Sequence, residues 1–197
     1  AFPVRHAGDG AELWLEPGDP PAVRAGADLA RRHSVPEQRF LLARAAARLR
    51  ARSGLAARLE PGALGDLMGA VVRQVEPDSA ALGNPSDALV RAVARALPRR
   101  IRKALDEPVR ALVRAGPQDV AGWRAALGAT ADRVGLLLAA DVPAALGLLL
   151  REGGATAPDA AGVAAAVRAS PGLGQLLCFT ASEEHLRLRQ RLHLAIA

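Results

Sequence analysis

Ser34-Val-Pro-Glu37, running on into Phe40-Leu-Leu-Ala-Arg-Ala-Ala-Ala-Arg48, is the stretch that decides the fold. Ser34 offers a side-chain oxygen to the first free amides of a helix, and Pro36 suits its first turn. Glu37 stands three residues on, where its carboxylate reaches back to the Ser34 amide and completes a capping box. Behind this start the residues are Ala, Leu and Arg, all strong helix formers, and the helix is expected to run to about Arg52 and stop at Gly54.

The chain ahead of this helix reads differently. Pro3 to His6, Glu12 to Leu15 and Ala22 to Arg24 are short extended candidates separated by Gly8-Asp9-Gly10 and Pro17-Gly-Asp-Pro-Pro21. These turn formers fit a small antiparallel ribbon. Ala27 to His33 is a short helix that follows it.

Beyond Gly54 the pattern is helical almost throughout. Helices are expected over Pro61 to Val75, from Asn84-Pro-Ser-Asp87 to Pro98, and over Arg99 to Ala115 with a kink or break at Pro108. Pro117 to Ala139 is the longest periodic segment and offers Trp123, Leu127, Val134, Leu137 and Leu138 to a core. Asp141 opens the next helix, which ends at Gly153-Gly154. Pro158 to Ala169, Leu173 to Phe179 and a last helix capped by Ser182 and running to Leu194 complete the chain. No repeat of 30 to 40 residues emerges, which argues against a solenoid.

Composition agrees with a mainly α fold. Half of the 197 residues are hydrophobic, chiefly Ala, Leu and Val, and only 3% are aromatic, so the core is built from small aliphatic helix faces. The length suits one domain, a compact bundle of about eight to ten helices with the ribbon at its N-terminus. Within it, residues 1–26 are the ribbon, 27–150 the main helical part and 151–197 a C-terminal extension. The start at Ala1-Phe-Pro has no initiator Met and no signal-peptide organisation, which points to a piece of a longer protein.

Of 26 basic residues only Lys103 is lysine, and the formal charge is +6. An arginine bias with abundant Ala, Gly and Pro is also what a GC-rich coding sequence produces, so the charge alone names no partner. Nucleic acid is disfavoured because Tyr is absent and the few aromatics are not interleaved with arginines as stacking platforms. Arg95, Arg99, Arg102 and Lys103 share a face if their helix is continuous, and they are the candidate anion or partner site. The single Cys178 excludes an intrachain disulfide and is expected to be a small buried apolar residue in a cytoplasmic protein. No apolar run is long enough to span a bilayer, since Asp141 and Pro143 interrupt the best candidate.

The order of ribbon, short helix, Leu42-Ala-Arg-Ala-Ala-Ala-Arg48 and Thr130-Ala-Asp-Arg-Val-Gly-Leu-Leu137 resembles the HtpX-like zinc metallopeptidases. In that family the first helix carries a His-Glu-x-x-His pattern and the second a Glu ligand followed by Ala-Asp and often Arg. The resemblance covers about Pro3 to Leu150 and lacks the family's defining letters. It implies that Arg44 and Arg48 stand at the two histidine positions, Ala45 at the catalytic glutamate and Gly128 at the third ligand. Arginine stays protonated and only donates, alanine is no base and glycine brings no ligand atom, so no metal, no cofactor and no catalysis are expected. Asp132, four residues after Gly128, is expected to pair with Arg44 or Arg48, a guanidinium standing in place of zinc. The C-terminal residues Phe179, Ser182, Glu183 and Leu186 are similar to a pattern in terminal modules of large bacterial helical-repeat proteins.

His6, His33, His185 and His193 lack partners at metal-ligand spacing and are expected to be surface or cap residues. Ser182-Glu-Glu-His185 is a capped helix start with acids near its positive end, not a catalytic set. Leu186, Leu188, Leu192, Leu194 and Ile196 are available to close the core or to dock on another domain. The expected function is a non-catalytic protein-interaction or regulatory domain on an inactivated metallopeptidase-like scaffold, partnered by another protein or by flanking domains. A generic helical scaffold without that ancestry, and an anion or nucleic-acid binder using Arg95 to Arg114, are the alternatives.

Overall fold

The computed structural model describes residues 4–6, 10–16, 18, 20–154 and 159–194, and among these it shows three strands and eleven helices. The strands are β1 (Val4–His6), β2 (Leu13–Glu16) and β3 (Ala22–Ala25). β2 and β3 form the expected antiparallel pair, with Trp14 opposite Arg24 and Leu15 opposite Val23. β1 adds to the far side of β3 in parallel, with Val4 opposite Val23, so the ribbon is a mixed sheet of order β1-β3-β2. Parallel pairing needs the chain to travel back along the sheet before it re-enters, and here β2 lies on that return path.

The helices are α1 (Leu29–Arg32), α2 (Val35–Arg50), α3 (Gly54–Arg58), α4 (Pro61–Val72), α5 (Asp87–Ala96), α6 (Arg99–Arg114), α7 (Val120–Ala139), α8 (Val142–Glu152), α9 (Ala160–Ala169), α10 (Pro171–Thr180) and α11 (Glu183–Arg191). α3 was not legible in the sequence. It is a five-residue turn started by Gly54, the residue expected only to end α2. Pro108 lies inside α6 without ending it.

The chain forms two compact units, residues 1–54 with 125–197, and residues 55–124. Their borders coincide with neither of the divisions expected near residues 26 and 150. In the first unit, alternation along β2 and β3 turns Leu15 and Val23 toward Ala45 and Leu49 of α2. A larger cluster joins Phe40 and Leu41 of α2 to Leu136 and Leu137 of α7, Ala145 and Leu148 of α8, and Leu176 and Phe179 of α10. Phe40 is fully buried. Gly135 lets α7 approach it, because a Cβ there would lie 2.9 Å from two ring carbons of Phe40 and 3.0 Å from its carbonyl oxygen. The second unit closes around Val72, Leu82 and Val109, with Met68, Leu105 and Leu112 packed on them.

Two expectations about the core are corrected. Trp123 and Leu138 are 48% and 41% exposed, and α7 buries Ala131, Gly135, Leu136, Leu137 and Ala139 instead. Close packing against Phe40 turns the face with Gly135, Leu136 and Ala139 inward, which leaves Leu138 outside. Cys178 is exposed, not buried, because α10 turns Leu176 and Phe179 inward and position 178 falls on the opposite face. Of the C-terminal leucines, Leu188 packs on the main core while Leu186 and Leu192 are exposed, and Ile196 lies outside the described residues. Among the described residues no helix is long and apolar enough to cross a membrane.

Candidate functional site

α2 sets the site. Its capping box forms as expected, the Ser34 amide donating to Glu37 Oε2 at 2.7 Å. Position 37 is followed by Arg44 two turns later on the same face, together with Phe40 and Leu41. Two charges thus lie on a stripe that faces the core, and each needs a partner there.

α8 supplies both partners from its last two residues. Glu152 accepts from Arg44 through both oxygens, Nη1 to Oε2 at 2.7 Å and Nη2 to Oε1 in a second, shorter contact. The neighbouring Arg151 donates to Glu37 Oε1. Both pairs run between α2 and α8 with opposite polarity, so each carboxylate on one helix meets an arginine on the other.

α7 brings the third element. Asp132 Oδ1 lies 3.6 Å from Arg44 Nη1, an ion pair slightly too long for a hydrogen bond. The Arg44 side chain is 11% exposed, against 26% for Asp132 and 42% for Glu152. Its guanidinium carbon also stands 5.2 Å from the centre of the Phe40 ring, on whose negative face a cation is attracted.

The ionisation of the cluster follows from this placement. Burial works against the Arg44 charge, but the hydrogen bonds and charge of Glu152, with Asp132 behind them, outweigh it and hold the guanidinium more firmly protonated than usual. Burial raises the Asp132 carboxyl above its ordinary range; Arg44 and then Arg48 oppose this, and Glu152 adds to it. Burial likewise works against the Glu37 carboxylate, yet the Ser34 amide and Arg151 prevail and lower its pKa. Arg44 therefore has ample negative charge around it, whereas Asp132 is not fully compensated.

The residues singled out in the sequence separate into three groups. Arg44 and Asp132 meet, and Arg48 is close enough for its charge to act on Asp132. Ala45 belongs to the cluster beneath the sheet with Leu15 and Val23. Gly128 is one turn before Asp132, and a Cβ there would have no atom within 4 Å. Among the described residues no group of three or more His, Cys, Asp or Glu side chains is placed to hold a metal ion. The sequence pattern does not mark Glu152 or Arg151, and it marks Glu37 only as a cap. Charges at 37 and 44 beside Phe40 and Leu41 signalled that partners were needed, but no sequence pattern points 108 and 114 residues ahead to them.

The basic run is divided. Leu97 is extended and Pro98 starts a new helix, in keeping with the helix end expected at Pro98, so Arg95 lies on α5 while Arg99, Arg102 and Lys103 lie on α6, and the continuous helix on which their shared face depended is not present. Arg102 Nη2 donates to the Ala94 carbonyl at 2.8 Å, satisfying one of the free acceptors at the end of α5. Arg110 pairs with Glu76 at 2.9 Å and Arg114 with Glu107 at 3.0 Å. Arg95, Arg99 and Lys103 are exposed.

The histidines differ from one another. His185 is partly buried with its ring edge-on to Phe179, 5.2 Å between centres, while its amide donates to the capping Ser182 hydroxyl. Burial and the nearby Arg189 lower its pKa. His33 Nδ1 lies 3.8 Å from Glu37, and the side chain of His6 lies outside the described residues. No protein-family model, curated protein or solved structure matches this chain.

Proposed function

We propose that this protein is a non-catalytic protein-interaction or regulatory module of the cytoplasm, on a scaffold resembling an inactivated zinc metallopeptidase. The supporting observation is the Arg44 guanidinium, set between Asp132 of α7 and Glu152 of α8. At the position where the resemblance calls for a metal ligand there is a fixed cation, which attracts carboxylates and repels metal ions. A charged group held rigidly by packed helices is suited to recognition, because little side-chain freedom is lost when a partner binds.

Two measurements test this reading. The purified chain, equilibrated with zinc and dialysed, is expected to retain no stoichiometric metal and to leave a fluorescent protein substrate intact. Affinity capture is expected to yield a saturable protein partner that is lost from an Arg44→Ala/Arg48→Ala variant of unchanged helical content. Stoichiometric zinc with peptide hydrolysis would overturn the non-catalytic half. Binding that ignores the double substitution would favour a plain helical scaffold, with function elsewhere on its surface.

A further inference from the structure

We infer that Glu152 is an internal stand-in for a partner's carboxylate, and that an acidic protein segment binds this domain by displacing Glu152 from Arg44. This rests on the proposal that the α2-α7-α8 site serves interaction, and adds the chemistry of the partner.

The two members of the pair are held very differently. Arg44 is 11% exposed, stands over the Phe40 ring and has Asp132 at 3.6 Å, so α2 and α7 retain it when Glu152 leaves. Glu152 is 42% exposed and is the last residue of α8, directly before Gly153-Gly154, where Gly154 has a φ of +88°. A helix end frays most readily, and Arg151 still anchors α8 to Glu37 when Glu152 turns away. The guanidinium is the fixed receptor and the glutamate its removable occupant.

The contact has the form of carboxylate recognition. Both terminal nitrogens of Arg44 meet both oxygens of Glu152, the planar two-point match that arginine makes with carboxylates. A carboxylate from outside replaces Glu152 charge for charge, leaving the balance around Arg44 unaltered. A dianionic phosphate would instead add negative charge beside Asp132, whose carboxylate is already poorly compensated, so the site favours the carboxylate.

A tethered Glu152 competes at an effective concentration on the order of millimolar. One free carboxylate is a poor rival for it, whereas a segment with several acidic residues gains from further contacts. Removing Glu152 takes this competitor away, and the apparent affinity then rises by the reciprocal of the fraction of sites that Glu152 had left open.

The test is fluorescence anisotropy with a labelled hexaglutamate peptide on the full chain. Glu152→Gln is expected to bind at least about ten-fold more tightly than the natural chain. Adding Arg44→Lys, which keeps the charge and removes the two-point fork, is expected to abolish that gain, with circular dichroism confirming an unchanged fold. Equal affinities of the natural and Glu152→Gln chains would overturn the inference. So would a gain that survives Arg44→Lys, equal binding of hexaglutamine, or displacement of the peptide by equimolar inorganic phosphate. Should these fail while a captured partner still depends on Arg44 and Arg48, the interaction reading stands and only the carboxylate identity falls.

Discussion

Arg44 and Lys103 are both cations on 16-residue helices of an arginine-rich chain, and their surroundings differ completely. Arg44 is nearly buried among Phe40, Asp132 and Glu152, whereas Lys103 stands on the exposed face of α6. Charge is thus a poor guide to importance here. What matters is whether the helix face carrying it is turned toward the core, because a cation in water costs nothing to leave unpaired and a buried one must be compensated by its surroundings.

Truncating each of the two cations is expected to give the largest difference. Arg44→Ala leaves Asp132 and Glu152 without its guanidinium, and is expected to cost about 3 kcal/mol, at the low end for breaking a buried pair because Asp132 keeps some solvent. Lys103→Ala is expected to stay within about 0.5 kcal/mol. Urea unfolding of the two variants checks both, and similar midpoints would mean that the α2-α7-α8 cluster is no more than a surface feature.

Gly135→Ala sharpens the same contrast without touching a charge. The added Cβ meets the Phe40 ring and carbonyl, so α7 must withdraw from α2, at an expected cost of about 2 kcal/mol. Gly128→Ala, on the same helix with open space at its Cβ, is expected to be neutral or slightly stabilising. Opposite shifts in thermal midpoint would confirm that α7 is pressed on α2 at one end of this stretch and free at the other.

Ala140 joins α7 to α8 with a φ of +57°, a left-handed conformation that a side chain disfavours. Since it is exposed, Ala140→Gly relieves this without loss of packing and is expected to add about 1 kcal/mol to unfolding stability. A loss of stability on glycine substitution would show that the turn between the helices carrying Asp132 and Glu152 is not strained.

The smallest effect separates Asp132 from its neighbours. Because burial raises its pKa in the folded state, its stabilising share is fully present below the unfolded value, about 4, and is lost as pH rises through the higher folded value. Glu37 has the opposite sign: its lowered pKa contributes stability above the unfolded value, lost as pH falls through the folded one. Asp132→Asn is therefore expected to match the natural chain in acid and to exceed it slightly at neutral pH. Glu37→Gln is expected to be the less stable at neutral pH, with the difference shrinking in acid. Unfolding curves from pH 3 to 7, a range spanning the ordinary carboxyl values, check both signs.

Much of this was legible in the chain itself. The Ser34 and Glu37 cap, the stops at glycine and the Ala/Leu composition determined where most helices begin and end, since capping and propensity act within a few residues. Residues 44 and 132 were likewise legible as a pair of interest, from the resemblance and the placement of Asp132 after Gly128. Other features needed distance. Parallel β1, the exposure of Trp123 and Cys178, and the grip of Arg151 and Glu152 on α2 each depend on which surface meets which neighbour. That choice is made by packing between residues far apart in sequence: Gly135 admits Phe40, and the end of α8 is thereby brought within reach of α2. Local chemistry determined the helices and the need for a partner at Arg44, and only the tertiary structure decided that the partner is Glu152, because an ion pair across 108 residues leaves no local trace in either segment.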